Sequence, residues 1–308
     1  MKNYSILESK HQEITEVSQN KETKKEAKKQ FYAYTPSWTM QEVVLRDSVR
    51  DSLEDVIAFC TNREKIIKQW HFDRFLKGNG TICINIYGEP GTGKTTAANA
   101  VVNAIGCKAI EVSLAEILGS LQGQTEQNLT ALFDYAQTNN YIIIFNDADS
   151  LLTQRSVGSA NSESSNVSKD HLLNLLDSTN VTIIFTTNFM KSYDDAFKSR
   201  MMFNIGVPLP NKEERDALWR FHLDENVPKD ISYEELSELS EGLSGRNIRQ
   251  LTMTMCIKLT VGKIKSVNRD VATKEVQKIK EAIQSSSENS KSIRIEEKDL
   301  PKSVKDSL

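Results

Sequence analysis

Residues 82–96 read ICINIYGEPGTGKTT, an apolar run that passes directly into a glycine-rich loop. The loop has the spacing G-x-x-x-x-G-K-[ST], and residues 97–105 after it have a helical composition. Such a loop binds phosphate because glycines let successive backbone N–H groups point inward, at the positive end of the helix dipole. A chance turn rich in glycine and proline would lack the flanking strand and helix. The stretch therefore predicts a site for a nucleoside triphosphate.

The predicted contacts to the nucleotide come from consecutive residues of this loop. Lys94 supplies a mobile positive charge for the phosphates, and the Thr95 hydroxyl is placed to ligate Mg²⁺. The full predicted set is Gly88, Glu89, Pro90, Gly91, Thr92, Gly93, Lys94, Thr95 and Thr96.

Composition and charge are those of an ordinary soluble globular chain. Of 308 residues, 38% are hydrophobic and 26% charged, and the net charge of −3 gives no general attraction for nucleic acid. No apolar run reaches the ~18 residues that span a bilayer, and residues 1–20 lack the apolar segment of a signal peptide. The cysteines lie in apolar stretches without C-x-x-C pairing, which predicts buried, reduced thiols in a cytoplasmic protein. They are Cys60, Cys83, Cys107 and Cys256.

Apolar strands alternate with helical segments through the first two thirds of the chain. This succession predicts an α/β fold, a parallel sheet with helices on both faces and the ligand at the carboxyl ends of its strands. Residues 156–168, rich in Ser, Asn and Gly, are predicted to be a mobile loop. The predicted strands are 82–87, 108–112, 141–145 and 181–186, and the predicted helices are 43–62, 63–76, 97–105, 127–138 and 169–178, with a further helix start at 115–118.

The pattern changes at residues 208–210, Pro-Leu-Pro, after which only helical segments follow. They are predicted at 212–224, 232–240, 245–265 and 269–285. We therefore predict a polar N-terminal tail over 1–35, an α/β subdomain over 36–207, a helical lid subdomain over 208–284 and a C-terminal tail over 285–308.

Three further segments carry chemistry that suits phosphoryl transfer. Residues 142–149, IIIFNDAD, form a strand that ends in acidic residues, as a group near Mg²⁺ and the attacking water requires. Asn188 follows the next strand, and Arg200 follows a short helix. Residues 242–249, GLSGRNIR, open a helix of the second unit.

In this order and spacing, the segments over about residues 37–265 resemble the AAA+ ATPases, and in particular the stand-alone single-module AAA proteins of bacterial type. The resemblance implies ATP and Mg²⁺ as cofactors, ATP hydrolysis, and a small helical lid over the nucleotide. It also implies a homo-oligomeric ring, commonly a hexamer, with ATP between neighbouring subunits. The leading hypothesis is therefore a chaperone-like ATPase that remodels a protein partner, although the sequence does not name the client.

The resemblance assigns roles to single residues. Asn188 would be sensor 1, and Arg200 would be an arginine finger that reaches the γ-phosphate of the next subunit. Arg246 or Arg249 would be a sensor 2 residue. Each has an ordinary alternative, because Asn often caps turns and Arg often lies near helix ends. Val44 and Leu45 would lie near the adenine.

The chain departs from the family at its acidic motif, where Asn146 and Asp147 stand in place of Asp-Glu. Asn146 can hydrogen-bond a Mg²⁺-bound water but brings no negative charge. Asp147 can act as the base or water-positioning group, or it can take the Mg²⁺ role instead; the sequence leaves both open. We expect ATP binding to survive and hydrolysis to be slow.

A second departure concerns the segment that lines the central pore in relatives, where Leu121 stands in place of an aromatic residue. A leucine offers less flat contact area for a threaded polypeptide, and a plain core contact is the alternative.

Three functions therefore stay open from the sequence. The first is an ATPase that remodels a protein partner, and the second is an ATP-gated binding scaffold with weak hydrolysis. The third is a nucleic-acid-associated helper. The net charge argues against it, although Lys258, Lys263 and Lys265 lie close together in the sequence and could form a local basic patch.

Overall fold

The computed structural model describes residues 31–74, 80–117, 123–152, 160–188 and 193–292. Its centre is a six-stranded sheet in the order β1-β3-β4-β5-β2-β6. The first strand pairs antiparallel with β3, and all other neighbours are parallel, which confirms the predicted fold class. The strands are β1 (Ala33–Tyr34), β2 (Ile82–Tyr87), β3 (Ala109–Ser113), β4 (Ile142–Asn146), β5 (Thr182–Thr187) and β6 (Met201–Gly206).

Helices cover both faces of the sheet. Alternate residues of a strand point to opposite faces, so Phe145 packs in the core under α4 and α6, while Ile144 packs in the core under α1 and α2. This two-sided burial explains why the central strands are apolar at every position. The helices are α1 (Asp47–Gln69), α2 (Lys94–Ile105), α3 (Leu114–Ile117), α4 (Gln124–Asn139), α5 (Asp149–Leu152), α6 (Ala160–Ser178) and α7 (Asp195–Lys198), with a 3₁₀ turn at Phe72–Arg74.

The helices beyond residue 210 form a core of their own around the fully buried Trp219 and Leu236. Three of them begin with a capping box, which fixes their first turns, and the caps are Asn211, Ser232 and Ser244. The separate core supports the proposed lid subdomain, whose boundaries stay a prediction. These helices are α8 (Lys212–His222), α9 (Tyr233–Leu239), α10 (Gly245–Thr260) and α11 (Arg269–Ser292).

The predicted mobile loop over 156–168 is wrong for its described part, because α6 already begins at Ala160. Ser and Asn favour helices only weakly, but packing on a neighbouring helix outweighs such propensities. Here the Ser168 hydroxyl donates to Glu126 Oε1 of α4 at 2.5 Å, and Lys169 is buried. Residues 153–159 lie outside the described residues.

Several boundaries also differ from the predicted ones. The two helices predicted at 43–62 and 63–76 are one helix, α1, with a break at Asn62 (φ −112°, ψ 15°), and it begins at Asp47. At the other end of the chain, α11 continues to Ser292, beyond the predicted start of the C-terminal tail. The predicted tail residues 1–30 and 293–308 lie outside the described residues.

The predicted burial of the cysteine thiols holds fully only for Cys83, although all four cysteines are unpaired. Burial raises the pKa of Cys83 to about 12 and that of the half-buried Cys60 to about 11. Among the helices in the described ranges, none combines the length and apolarity needed to cross a membrane.

Candidate nucleotide-binding site

A cavity of about 670 Å³ lies where the carboxyl edge of the sheet meets the helical unit. Its size is typical of small-molecule sites. The glycine-rich loop forms one wall through residues 90–96, and α10 faces it with Arg246 and Arg249. Asp147 and Asn188 follow two neighbouring strands and complete the wall between them. The predicted loop, acidic motif, sensor 1 and sensor 2 residues therefore meet at one place.

The glycine-rich loop is held tightly from two sides. Gly88 has φ +155°, and a Cβ there would lie 2.1 Å from the carbonyl oxygen of Val207. Gly91 has φ +84°, and a Cβ there would lie 2.6 Å from Ser244 Oγ and 2.8 Å from Arg246 Cβ. The Arg246 N–H donates to the Gly91 carbonyl at 3.1 Å, so the loop touches the first turn of α10 directly.

This contact predicts that Gly91→Ala separates the loop from α10. Gly106→Ala is the matched control, because Gly106 has φ +81° and open space around its Cβ position. Both variants pay for a left-handed backbone, about 1–2 kcal/mol, but only Gly91→Ala adds a steric clash worth about 1–3 kcal/mol more. Urea unfolding and ATP titration of both variants check this. Equal losses of stability and unchanged ATP affinity would contradict it.

Lys94 is the first residue of α2, and its side chain is turned back into the loop. Its Nζ donates to the carbonyl oxygens of Gly88 and Glu89 at 2.8 and 3.0 Å, and to Asn188 Oδ1 at 3.0 Å. Burial lowers the pKa of Lys94, while Asp147 and other carboxylates nearby act in the opposite direction. The ammonium group thus lies at the point where the loop and β5 come together.

Asn188 is oriented by Asp149, a residue of the acidic motif for which no role was predicted. The Asn188 backbone N–H donates to both Asp149 carboxylate oxygens at 3.0 Å, and its Nδ2 donates to Oδ2 at 3.2 Å. The amide nitrogen therefore faces Asp149, and the amide oxygen faces Lys94 Nζ. The role of Asn188 as sensor 1 stays a prediction.

The residues expected to serve Mg²⁺ lie beside this group. The Thr95 hydroxyl donates to Asn146 Oδ1 at 3.3 Å, and Thr186 donates to the same oxygen at 3.0 Å. Asp147 lines the cavity with φ +48°, a backbone conformation that Asp tolerates better than most residues. Hydroxyl, amide and carboxylate oxygens are ligands that suit Mg²⁺.

No cluster of three or more His, Cys, Asp or Glu that could hold a metal by itself occurs in the described ranges. Thr95 and Asp147 fit the two predicted metal positions on their donor chemistry.

Apolar side chains also line the cavity. Val44 and Leu45 are among them, and their contact with the adenine stays a prediction. The rings of Trp38 and Phe221 also line it, with centroids 6.3 Å apart. Sequence reasoning did not select either ring; the only signal was that Trp38 closes an aromatic-rich stretch.

Arg200 does not line this cavity. Its Nε and Nη2 donate to the two Asp177 oxygens at 2.7 and 2.5 Å, and its Nη1 donates to the Ala196 carbonyl at 2.7 Å. This pairing raises the pKa of Arg200 and lowers that of Asp177. Leu121, the predicted pore position, lies outside the described residues.

Comparison with known proteins bears directly on this site. Residues 84–209 match the family described as "ATPase family associated with various cellular activities (AAA)". Over these residues the chain is similar to an AAA ATPase domain. The match ends beside the Pro-Leu-Pro segment at 208–210, where the helical unit begins.

Several curated relatives are similar to part of this chain. The chain is 31% identical over 196 residues to "Mitochondrial sorting homolog" of Caenorhabditis elegans, which covers 60% of this chain and 57% of the relative. It is 32% identical over 221 residues to "Outer mitochondrial transmembrane helix translocase" of Danio rerio. This match covers 69% of this chain and 56% of the relative. It is 34% identical over 177 residues to "Katanin p60 ATPase-containing subunit A1" of Arabidopsis thaliana, 53% and 34%. The matched region thus spans a little over half the length of the first two relatives and about a third of the length of the third.

The more specific prediction, a stand-alone AAA protein of bacterial type, is not confirmed by these relatives, which are eukaryotic. A cytoplasmic location is not confirmed either, since two of them have mitochondrial names.

Proposed function

We propose that this chain binds and hydrolyses ATP and uses the energy to remodel a protein partner. The observation that carries the proposal is the meeting of Lys94, Asn188 and Asp147 at one cavity of an AAA domain. The arrangement suits phosphoryl transfer, in which positioning and charge stabilisation supply most of the catalysis. A protein partner is supported by the printed name of one relative, a transmembrane helix translocase.

Each residue of the site has a proposed role. Lys94 binds the phosphates together with the N–H groups of the loop, and Asp147 orients the attacking water and accepts its proton. Asn188, held by Asp149, presents its oxygen towards the reacting end of the nucleotide. Arg246 lies across the cavity and is the proposed sensor 2 residue. Bound Mg²⁺ would neutralise charge on the phosphates, next to Thr95 and Asp147.

We also propose a homo-oligomeric ring, and the family resemblance suggests a hexamer. The position of Arg200 is the structural support for this ring. Because Arg200 is paired with Asp177 and does not line its own cavity, a role at ATP requires the cavity of a neighbouring copy. In a ring, Arg200 would contact the nucleotide of the neighbouring subunit. It would do so either by breaking its ion pair with Asp177 or with that pair still in place. The stand-alone module of bacterial type and a cytoplasmic location remain part of this proposal, the latter supported by four unpaired cysteines.

Mixing two inactive variants tests both hydrolysis and the ring. Arg200→Ala should lower phosphate release by about 10³-fold, the lower end of the range for arginine fingers, with ATP affinity nearly unchanged. Lys94→Ala should also be inactive, but it keeps Arg200. Mixed rings contain sites with an intact Lys94 next to an intact Arg200, so activity should return on mixing, and ATP should raise the molar mass measured by light scattering.

The matched control is Arg220→Ala, which removes an exposed arginine paired with Asp216 on α8. It should leave phosphate release unchanged. A monomer in the presence of ATP, with Arg200→Ala as active as the parent chain, would exclude the ring.

A second function is favoured by one observation, the neutral Asn146 in the acidic motif. In that case the chain is an ATP-gated binding scaffold, and ATP drives assembly with little turnover. Phosphate release at the typical enzymatic rate of about 1 per second or faster would exclude it.

A further inference from the structure

Asn146 stands where the family has an acidic residue, yet its side chain contacts the carboxylate of Glu111. Its Nδ2 donates a very short hydrogen bond to Glu111 Oε1, and its Oδ1 accepts from the hydroxyls of Thr95 and Thr186. Glu111 belongs to β3, the strand next to β4. The register pairs Ser113 with Asn146, so Glu111 lies two residues back on the neighbouring strand.

This contact decides which end of the Asn146 amide faces the cation site. A carboxylate can only accept hydrogen bonds, so Glu111 selects the NH₂ end of the amide. The oxygen end is thereby turned to Thr95. Without Glu111, the two hydroxyls could equally receive a hydrogen bond from the NH₂ group, which cannot ligate a cation or accept from its bound water.

Glu111 is itself held in place from the edge of the sheet. The Tyr34 hydroxyl donates to Glu111 Oε2 at 2.6 Å and lies 2.7 Å from Asn99 Oδ1. The Asn99 amide nitrogen donates to the Thr95 carbonyl at 2.9 Å, which closes the network on α2. The short strand β1, which carries Tyr34, therefore contributes to the site through Glu111.

We infer that Glu111 is a positioning residue for the cation site, and that it supplies from β3 the negative charge that Asn146 lacks. It acts through Asn146, whose oxygen it orients, and it adds its own charge behind the amide. The inference rests on the proposed ATP site and names one more residue that this site requires.

The test compares ATP affinity with Mg²⁺ and with excess EDTA, so that it does not depend on turnover. Glu111→Ala should reduce the affinity gained from Mg²⁺ by about tenfold, the equivalent of one charge-assisted hydrogen bond. Glu111→Gln should lose less, because its amide oxygen can still accept from Asn146. Affinity in EDTA should stay within about twofold in both variants. Glu64→Gln, an exposed carboxylate on α1, is the control.

The decisive experiment moves the negative charge from position 111 to position 146 and asks whether MgATP affinity recovers. Asn146→Asp alone places two carboxylates side by side and should lower Mg²⁺-dependent affinity or stability. The double variant Glu111→Gln/Asn146→Asp returns a single charge to the site and should bind MgATP better than either single variant. A strictly structural role for Glu111 would give no such rescue.

Several outcomes would overturn the inference. Additive effects of the two substitutions, an unchanged Mg²⁺ dependence in Glu111→Ala, or an equal loss of affinity in EDTA would each do so. Failure of the parent chain to bind ATP would instead reject the proposed function, so the two failures are distinguishable.

Discussion

Lys94→Ala should weaken ATP binding by about 10²–10⁴-fold, because it removes a charged donor that we propose contacts two phosphates, at about 1.5–3 kcal/mol per bond. The side chain is 7% exposed and satisfies three oxygen acceptors. Its removal leaves these oxygens unpaired next to the phosphates, and their repulsion adds to the loss. Calorimetric titration with ATP measures the effect directly.

Thermal unfolding provides a second measurement of the same change. A ligand at a hundred times its Kd stabilises the folded chain by about 2.7 kcal/mol, so ATP should raise the melting temperature of the parent chain and not that of Lys94→Ala. Lys68→Ala is the matched control, since Lys68 is an exposed lysine in a surface ion pair with Glu64. If Lys94→Ala binds ATP as the parent does, the phosphate site lies elsewhere.

The centre of the fold could be predicted from the sequence because its signals are local. Residues of β4 alternate between two cores, which is why a short, continuous apolar run is typical of a strand covered on both faces. The edge strand β6 was missed for the opposite reason. Among the described strands it pairs only with β2, and Met202 is exposed, so Met201–Gly206 has no clear pattern. The two-residue β1 is too short to give any pattern.

Some features of the candidate site could likewise be predicted from the sequence, and others could not. Lys94, Asp147 and Asn188 were predicted to meet because the carboxyl ends of parallel strands share one edge of a sheet. The contacts of Asp149 with Asn188, and of Glu111 with Asn146, depend on strand register and on side-chain orientation. Sequence spacing specifies neither, so both carboxylates were left without a role. The Arg200–Asp177 pair is likewise a contact between distant segments.

Asp147→Asn should lower phosphate release by about 10²–10⁴-fold, the usual contribution of a general base, and should change ATP affinity only a few-fold. Asn has nearly the same shape as Asp and tolerates the left-handed backbone at this position (φ +48°) equally well. The change therefore removes the charge and the proton acceptor while the cavity wall stays in place. Single-turnover phosphate release and equilibrium ATP binding separate the two effects.

Asp195→Asn is the matched control, because Asp195 is an exposed carboxylate paired with Lys198 on α7. It should leave both measurements unchanged. The reverse experiment, Asn146→Asp with Asp147→Glu, restores the acidic pair of the family and lengthens the second side chain by one methylene. If the parent chain hydrolyses slowly for want of that pair, turnover should rise sharply once Glu111→Gln is added to these two substitutions, because Glu111 would otherwise repel a second carboxylate at position 146. If Asp147→Asn hydrolyses as fast as the parent, Asp147 does not accept the proton, and the remaining role open to it is that of cation ligand, which would appear as a loss of MgATP affinity.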